Sequence, residues 1–262
     1  AEELCRNGAQ CSMPYLVEHI DSGRRLALCL SKLEGMPAHT LSDAQLEAAV
    51  AWLARLHATY WGCRADKAVQ EGGLQAQGCF WYLDTRAREH EQMPSDGWQG
   101  RLRHAARGLD LRLKADRHQT IVHGDAKSEN MFFQSGNGSI IASFCDFEYT
   151  GKAHPAKDLA YCLLCADGKL DKEQEDAILV RYLSHLGTLL TAQGVSTPTF
   201  NELRAIYDLA LCDFARWMSG WGWVGRFESL LRLKCTPTLD MIDGGSDLVS
   251  EDAYRQAIFS VF

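Results

Sequence analysis

Ile121-Val122-His123-Gly124-Asp125-Ala126-Lys127-Ser128-Glu129-Asn130, followed further on by Cys145-Asp146-Phe147-Glu148-Tyr149, is the pair of stretches on which the reading of this chain turns. Between them, residues 131–133 and 140–145 read as two strands. The intervening Gln134-Ser135-Gly136-Asn137-Gly138-Ser139 supplies the Gly and Asn that a tight reversal needs. A hairpin closed there returns Asp146 alongside Asn130, near Lys127 and Asp125. Two carboxylates, an amide oxygen and an ammonium then converge at its mouth.

That set suits a divalent cation holding a polyphosphate. Magnesium takes hard oxygen ligands, typically one or two carboxylates with water and phosphate oxygens. Asn130 and Asp146 are the expected metal ligands. Asp125 is left to accept a proton from an attacking hydroxyl, and Lys127 to neutralise charge on a phosphoryl group in transfer. Glu148 reads either as a further metal ligand or as a surface carboxylate. Lys127 reads equally as a solvated loop lysine, and His123 as a histidine that holds the loop by hydrogen bonds. The bland alternative makes Asp125 a turn residue and Asn130 a cap, and has to explain each coincidence separately.

Working outward, residues 15–20 and 26–30 are two short apolar runs split by Asp21-Ser22-Gly23-Arg24-Arg25, the pattern of an antiparallel hairpin. Leu46, Ala49, Val50, Leu53, Leu56 and Tyr60 recur at helical spacing, and Ser42-Asp43-Ala44-Gln45 before them has the form of a capping box. The glycine-rich residues 62–100 predict short helices and loops, with one helix over 80–91. A helix is expected over 101–115, a strand over 120–122, and helices from Pro155 onward with breaks at Gly187, 194–198 and 220–225. The fold class expected is α+β: a small sheet followed by a mostly helical body with an embedded hairpin.

His123-Gly124-Asp125-x-x-x-x-Asn130 resembles the catalytic-loop motif of the aminoglycoside phosphotransferase and choline kinase group, within the protein-kinase-like superfamily. Asp146-Phe147-Glu148-Tyr149 resembles the D-[FY]-E-[YF] form of choline/ethanolamine kinases. Pro155-Ala156-Lys157-Asp158-Leu159-Ala160-Tyr161 is similar to the P-x-x-D-L-A segment that follows, where the aspartate matching Asp158 braces the catalytic loop. Leu53-Ala54-Arg55-Leu56-His57-Ala58 resembles the helix after the hinge. Four segments in order are more specific than any one, and they span roughly residues 14–165. The resemblance implies a protein-kinase-like fold, ATP and Mg2+ as cofactors, and a small-molecule hydroxyl as acceptor.

The same resemblance sets residues 1–35 apart as what remains of a small N-terminal lobe and hinge, with 36–262 as the helical lobe. Leu28, Leu30 and Leu33 fall on the hinge, where backbone groups would meet an adenine. No phosphate-covering G-x-G-x-x-G is present in the sequence, and Lys32 is misplaced for a phosphate lysine. The chain begins with alanine and is expected to be a piece of a longer enzyme, or a naturally short protein whose activity alone is in question. Towards the other end, Asp208, Asp213, Trp217, Trp221 and Trp223 make an aromatic, acidic stretch. It could enclose a quaternary ammonium through cation–π contacts, as the choline kinase resemblance also suggests, or simply build the core of the helical lobe.

Composition narrows the classes. Of 262 residues, 46% are hydrophobic and 23% charged, which is globular and excludes a fibrous or disordered chain. The 27 basic and 34 acidic residues give a net charge of −7, which speaks against a nucleic-acid surface. No apolar run reaches the roughly 20 residues of a membrane span. The ten cysteines are scattered, and with no secretory leader in the sequence they are expected to be reduced thiols in a cytoplasmic protein. Cys162 and Cys165 form a lone CxxC that reads as buried core rather than zinc or redox chemistry. A non-catalytic kinase-like module is the competing function. A protein kinase fits less well, since Gly124 and Glu148 replace the Arg and Gly of its motifs and no A-P-E follows.

Overall fold

The computed structural model describes residues 1–20, 25–136, 138–166, 170–222 and 227–262. The architecture is α+β and mostly helical, as expected. Helix α1 (Glu2–Arg6) and strand β1 (Gln10–Cys11) lead into a hairpin of β2 (Pro14–Ile20) and β3 (Arg25–Leu30), then β4 (Met36–Pro37). Helices α2 (Asp43–Thr59), α3 (Cys63–Gly72), α4 (Ala87–Glu91) and α5 (Gly97–Ala115) follow. Next come β5 (Thr120–Val122), β6 (Met131–Gly136), β7 (Ser139–Phe144) and β8 (Gly151–Ala153), then helices α6 (Ala156–Ala166) to α10 (Glu251–Val261).

The embedded hairpin forms with Met131 opposite Phe144 and Gly136 opposite Ser139. Its strands run further than expected, because Gln134-Ser135-Gly136 continues the ladder instead of turning. Strand β7 pairs parallel with β1, and β6 pairs antiparallel with β4, giving a four-stranded sheet in the order β1-β7-β6-β4. This sheet leans on α2, where the Trp52 ring stacks on Phe144 with centroids 4.0 Å apart and Trp52 Nε1 donates to Gln10 O at 2.7 Å. The capping box of α2 is present: Ser42 Oγ accepts from Gln45 N, and Gln45 Oε1 from Ser42 N.

Three expectations need correction. Residues 80–91 do not make one helix. A 3-10 turn (Leu83–Arg86) passes into the short α4, with the Arg86 side chain drawn back onto Phe80 O at 2.7 Å. Gly187 does not break a helix: α7 (Lys172–Thr191) runs through it, and the missing side chain admits Thr197. Helix α5 begins at Gly97, ahead of the expected start.

Residues 1–11 pack on the helical body. Leu4, Ala9 and Cys11 are buried in the main core with α2 and β7. The hairpin β2–β3 is what stands off the body, with Tyr15, Val17 and Leu28 all more than half exposed. Its turn lies outside the described residues. Cys162 is buried and Cys165 half-buried on α6, and burial pushes both thiols upward, which fits core packing.

Candidate active site

The loop after β5 is held from below by one carboxylate. Asp158, in the first turn of α6, accepts from His123 N at 2.7 Å on Oδ2 and from Gly124 N at 2.9 Å on Oδ1. His57 Nε2 lies 3.2 Å from the same Oδ2, and its Nδ1 is 2.9 Å from the Tyr182 hydroxyl. Helices α2, α6 and α7 thus converge on the loop's backbone. Gly124 is a steric necessity, since it sits at φ +87° and a Cβ there would lie 2.2 Å from Tyr149 O.

His123 is the structural residue its alternative reading described. Its Nδ1 accepts from Asp125 N at 3.3 Å and its Nε2 donates to Cys145 O at 2.9 Å, so the ring is neutral with the proton on Nε2. Burial pushes its pKa down, outweighing the nearby Asp158 and Asp125.

Asp125 is buried, and its two oxygens differ. Oδ2 accepts from Lys127 Nζ at 2.8 Å and from Asn130 Nδ2 at 2.9 Å, while Oδ1 is buried with no partner. Asn130 Nδ2 also donates to Asp125 O at 2.9 Å. Partial burial pulls the Lys127 ammonium down, but Asp125 more than compensates and its pKa is raised. The hairpin then returns as expected: Cys145 N donates to Asn130 O at 3.0 Å, and Asp146 follows at φ +65°, a conformation uncommon outside glycine. Asp146 is exposed and makes no hydrogen bond or ion pair with another described residue. Asp125, Lys127, Asn130 and Asp146 therefore come together. Glu148 is exposed beside Tyr149, where it adds to the upward push of burial on the phenol. The oxygen-only donors of Asn130, Asp146 and Glu148 fit magnesium, and the orphaned Asp125 Oδ1 fits a hydroxyl donor.

The aromatic stretch divides. Asp213 is fully buried: Lys157 Nζ reaches its Oδ2 at 2.9 Å and Arg216 Nε its Oδ1 at 2.8 Å, so both oxygens are committed and it presents nothing to a substrate. Burial raises its pKa, but Arg216 and Lys157 together bring it below the ordinary value. Trp217 packs in the core on α8 (Phe200–Trp221), although its Nε1 is buried without a partner. Trp221 is 51% exposed, and Trp223 lies outside the described residues.

Sequence reading missed Phe80 as part of this wall. Phe80 N donates to Gly124 O at 2.8 Å, and its ring lies 4.7 Å from Tyr149, 5.4 Å from Trp217 and 6.0 Å from Trp221. No spacing rule links residue 80 to 124; the contact is purely tertiary. Leu28 and Leu30 are exposed on β3. The backbone of Leu33, beyond that strand, makes no hydrogen bond with a described residue.

A second cluster, Asp116, His118 and His154, brings one carboxylate and two imidazoles within 4.8 Å. Its protons are already placed. His154 Nδ1 accepts from Ala156 N at 3.1 Å, so Nε2 carries the proton and faces Asp116 Oδ1 at 3.5 Å. His118 Nε2 accepts from Arg117 Nε at 3.1 Å, leaving Nδ1–H for Asp116. Burial raises the Asp116 carboxyl, yet these histidine hydrogen bonds hold it well below the usual range. A metal would have to displace both protons, so the cluster is a hydrogen-bonded brace.

The family model of the phosphotransferase enzyme family, APH, matches residues 1–193. The chain belongs to that family. No curated protein sequence matches it. Among solved structures, the microcompartment-associated aminopropanol kinase superposes with a TM-score of 0.58 at 12% identity, over 95% of this chain and 82% of that one. Amicoumacin kinase hAmiN, solved with AMP-PNP, Ca2+ and Ami, gives 0.57 at 18%, over 91% and 75%. Choline kinase LicA from Streptococcus pneumoniae gives 0.55 at 18%, over 91% and 77%. These neighbours share the fold of this phosphotransferase family member and are all named as kinases of small molecules.

Proposed function

We propose that this family member is an ATP- and magnesium-dependent kinase that transfers the γ-phosphoryl group to a hydroxyl of a small molecule. The observation that carries the reading is the unshared Asp125 Oδ1. A buried carboxylate oxygen without a donor costs on the order of 1–3 kcal/mol or more, and an acceptor hydroxyl placed there would offset that cost. Because Lys127 and Asn130 pin Oδ2, the free oxygen has a fixed direction, which suits a base that takes the hydroxyl proton. Lys127 keeps its charge beside the transfer position. Asn130 and Asp146, with Glu148 beyond them, would hold the metal. Bound Mg-ATP supplies the phosphoryl group and much of the charge compensation.

The adenine would lie along Leu28, Leu30 and Leu33, so that residues 14–35 form the nucleotide side of the cleft and the helical body the catalytic side. The acceptor is a small alcohol, whether choline- or ethanolamine-like, aminoglycoside-like or another of that size, and the chemistry of the wall beside the reacting hydroxyl decides among them. Trp221 borders it. A cytoplasmic setting agrees with ten free thiols.

The test is an acceptor screen by ADP release, together with calorimetric titration of Mg-ATP. Asp125→Asn is expected to lower kcat by roughly 10²–10⁴-fold and leave nucleotide affinity within about twofold. Turnover retained in Asp125→Asn would remove Asp125 as the base. Asp146→Ala is expected to abolish the magnesium-dependent part of ATP binding.

A further inference from the structure

We propose that Arg86 occupies the cation position of the acceptor wall. The site then turns away ammonium alcohols and takes acceptors whose flank beside the reacting hydroxyl is uncharged or anionic. This deepens the kinase reading, and rests on it for the identity of the wall as the acceptor side.

The guanidinium carbon of Arg86 lies 3.8 Å from the centre of the Phe80 ring and 5.6 Å from that of Trp221. At 3.8 Å it already makes the contact a quaternary ammonium would make, and no second cation fits against that face. The side chain is fixed on several sides: Nε donates to Phe80 O at 2.7 Å, Nη1 faces Glu89 at 3.6 Å, and the charge lies close enough to Tyr149 to offset part of the rise that burial gives its phenol. It is only 13% exposed. The ring it covers is no remote one, since Phe80 N is bonded to Gly124 O, one residue before the base.

The placement is built into the fold. Arg86 ends the 3-10 turn that feeds α4, and α4 packs on α8 at Gly220, where a Cβ would lie 1.8 Å from Glu89 O. A bulkier residue at 220 would push α4, and Arg86 with it, off the wall.

What the wall still offers is aromatic surface and donors. Trp221 is half exposed, and Trp217 Nε1 is a buried donor without an acceptor. Two carboxylates near the wall are engaged, Asp213 by Lys157 and Arg216 and Glu89 by Arg86, and the exposed Glu148 beside Tyr149 goes to the metal in the kinase reading. A sugar-like ring face or a carboxylate flank matches this chemistry; a trimethylammonium group does not.

The experiment titrates tetramethylammonium into the full chain, followed by tryptophan fluorescence and calorimetry, for wild type, Arg86→Ala, Arg86→Gln and Arg86→Lys. Arg86→Ala is expected to bind it at least about tenfold more tightly than wild type. Arg86→Gln should gain less, and Arg86→Lys should gain nothing because it keeps the cation. Wild type binding as tightly as a folded Arg86→Ala would overturn the proposal, as would no gain in either neutral variant with its melting temperature unchanged. Should Arg86→Ala unfold, the Gln–Lys comparison decides alone. Phosphoryl transfer is not needed for this readout. A chain that fails the Asp125→Asn test but shows the gain loses the kinase reading and keeps Arg86 as the occupant.

Discussion

At the scale of single residues, identity and role part company according to burial. Asp125 and Asp213 are both buried carboxylates with two cationic or polar partners, yet Asp125 retains a free oxygen and Asp213 retains none. Asp213→Asn would leave Lys157 and Arg216 facing each other in the core with one neutral amide between them. Removing one member of a fully buried ion pair costs about 3–5 kcal/mol. Denaturant unfolding of Asp213→Asn should therefore show a loss of that size, and a loss of turnover without a loss of stability would restore Asp213 to the substrate side. Its pairing with Arg216 is an i,i+3 relation that a sequence displays. Its pairing with Lys157, on another helix, is not, and that second partner is what takes it out of the substrate set.

At the scale of elements, signals carried by neighbouring residues were readable and those carried by tertiary contact were not. Ser42 and Gln45 announce the start of α2, and both reciprocal hydrogen bonds form. Ser42→Ala should cost about 1 kcal/mol of stability, measured by urea unfolding; a change within error would mean the cap is redundant with the packing of α2. The hairpin that returns Asp146 to Asn130 was legible for the same reason, since alternation and turn residues are local. The broken helix over 80–91 was not, because Arg86 leaves the helical path to cover Phe80. Gly187 looks like a breaker in isolation and is instead a notch for Thr197. The bond from Trp52 Nε1 to Gln10 O, which ties the first residues to α2, is likewise tertiary and left no local signal. The loop and the return of Asp146 beside Asn130 were thus legible, and the aromatic wall around Phe80 was not, because it is assembled from distant segments.

At the scale of the whole molecule, two buried neutral imidazoles set an acid limit. Burial holds His123 and His154 below the ordinary value of 6.5, so both remain neutral in the folded chain and take up protons on unfolding as pH falls through that value. The unfolded state then binds more protons, and stability declines with falling pH by at most about 1.4 kcal/mol per unit for each histidine. The depressed carboxyls of Asp116 and Asp213 add their own loss only below their ordinary value of 3.8, which leaves the interval between separable. Urea unfolding from about pH 7.5 to about pH 5 should show this decline, and His154→Gln should reduce its slope by up to half. A flat profile would mean that neither ring resists protonation.

Asp158 holds the loop by its backbone. The amides of His123 and Gly124 are bound to that carboxylate, and through it the loop is locked to three helices. The aromatic wall, in contrast, meets the loop through the bond from Phe80 N to Gly124 O. On the proposed kinase reading, chemistry and choice of acceptor would therefore sit on separate parts of the chain. Substitutions at 86 and 221 would then change which alcohol is accepted and leave in place the loop that Asp158 holds.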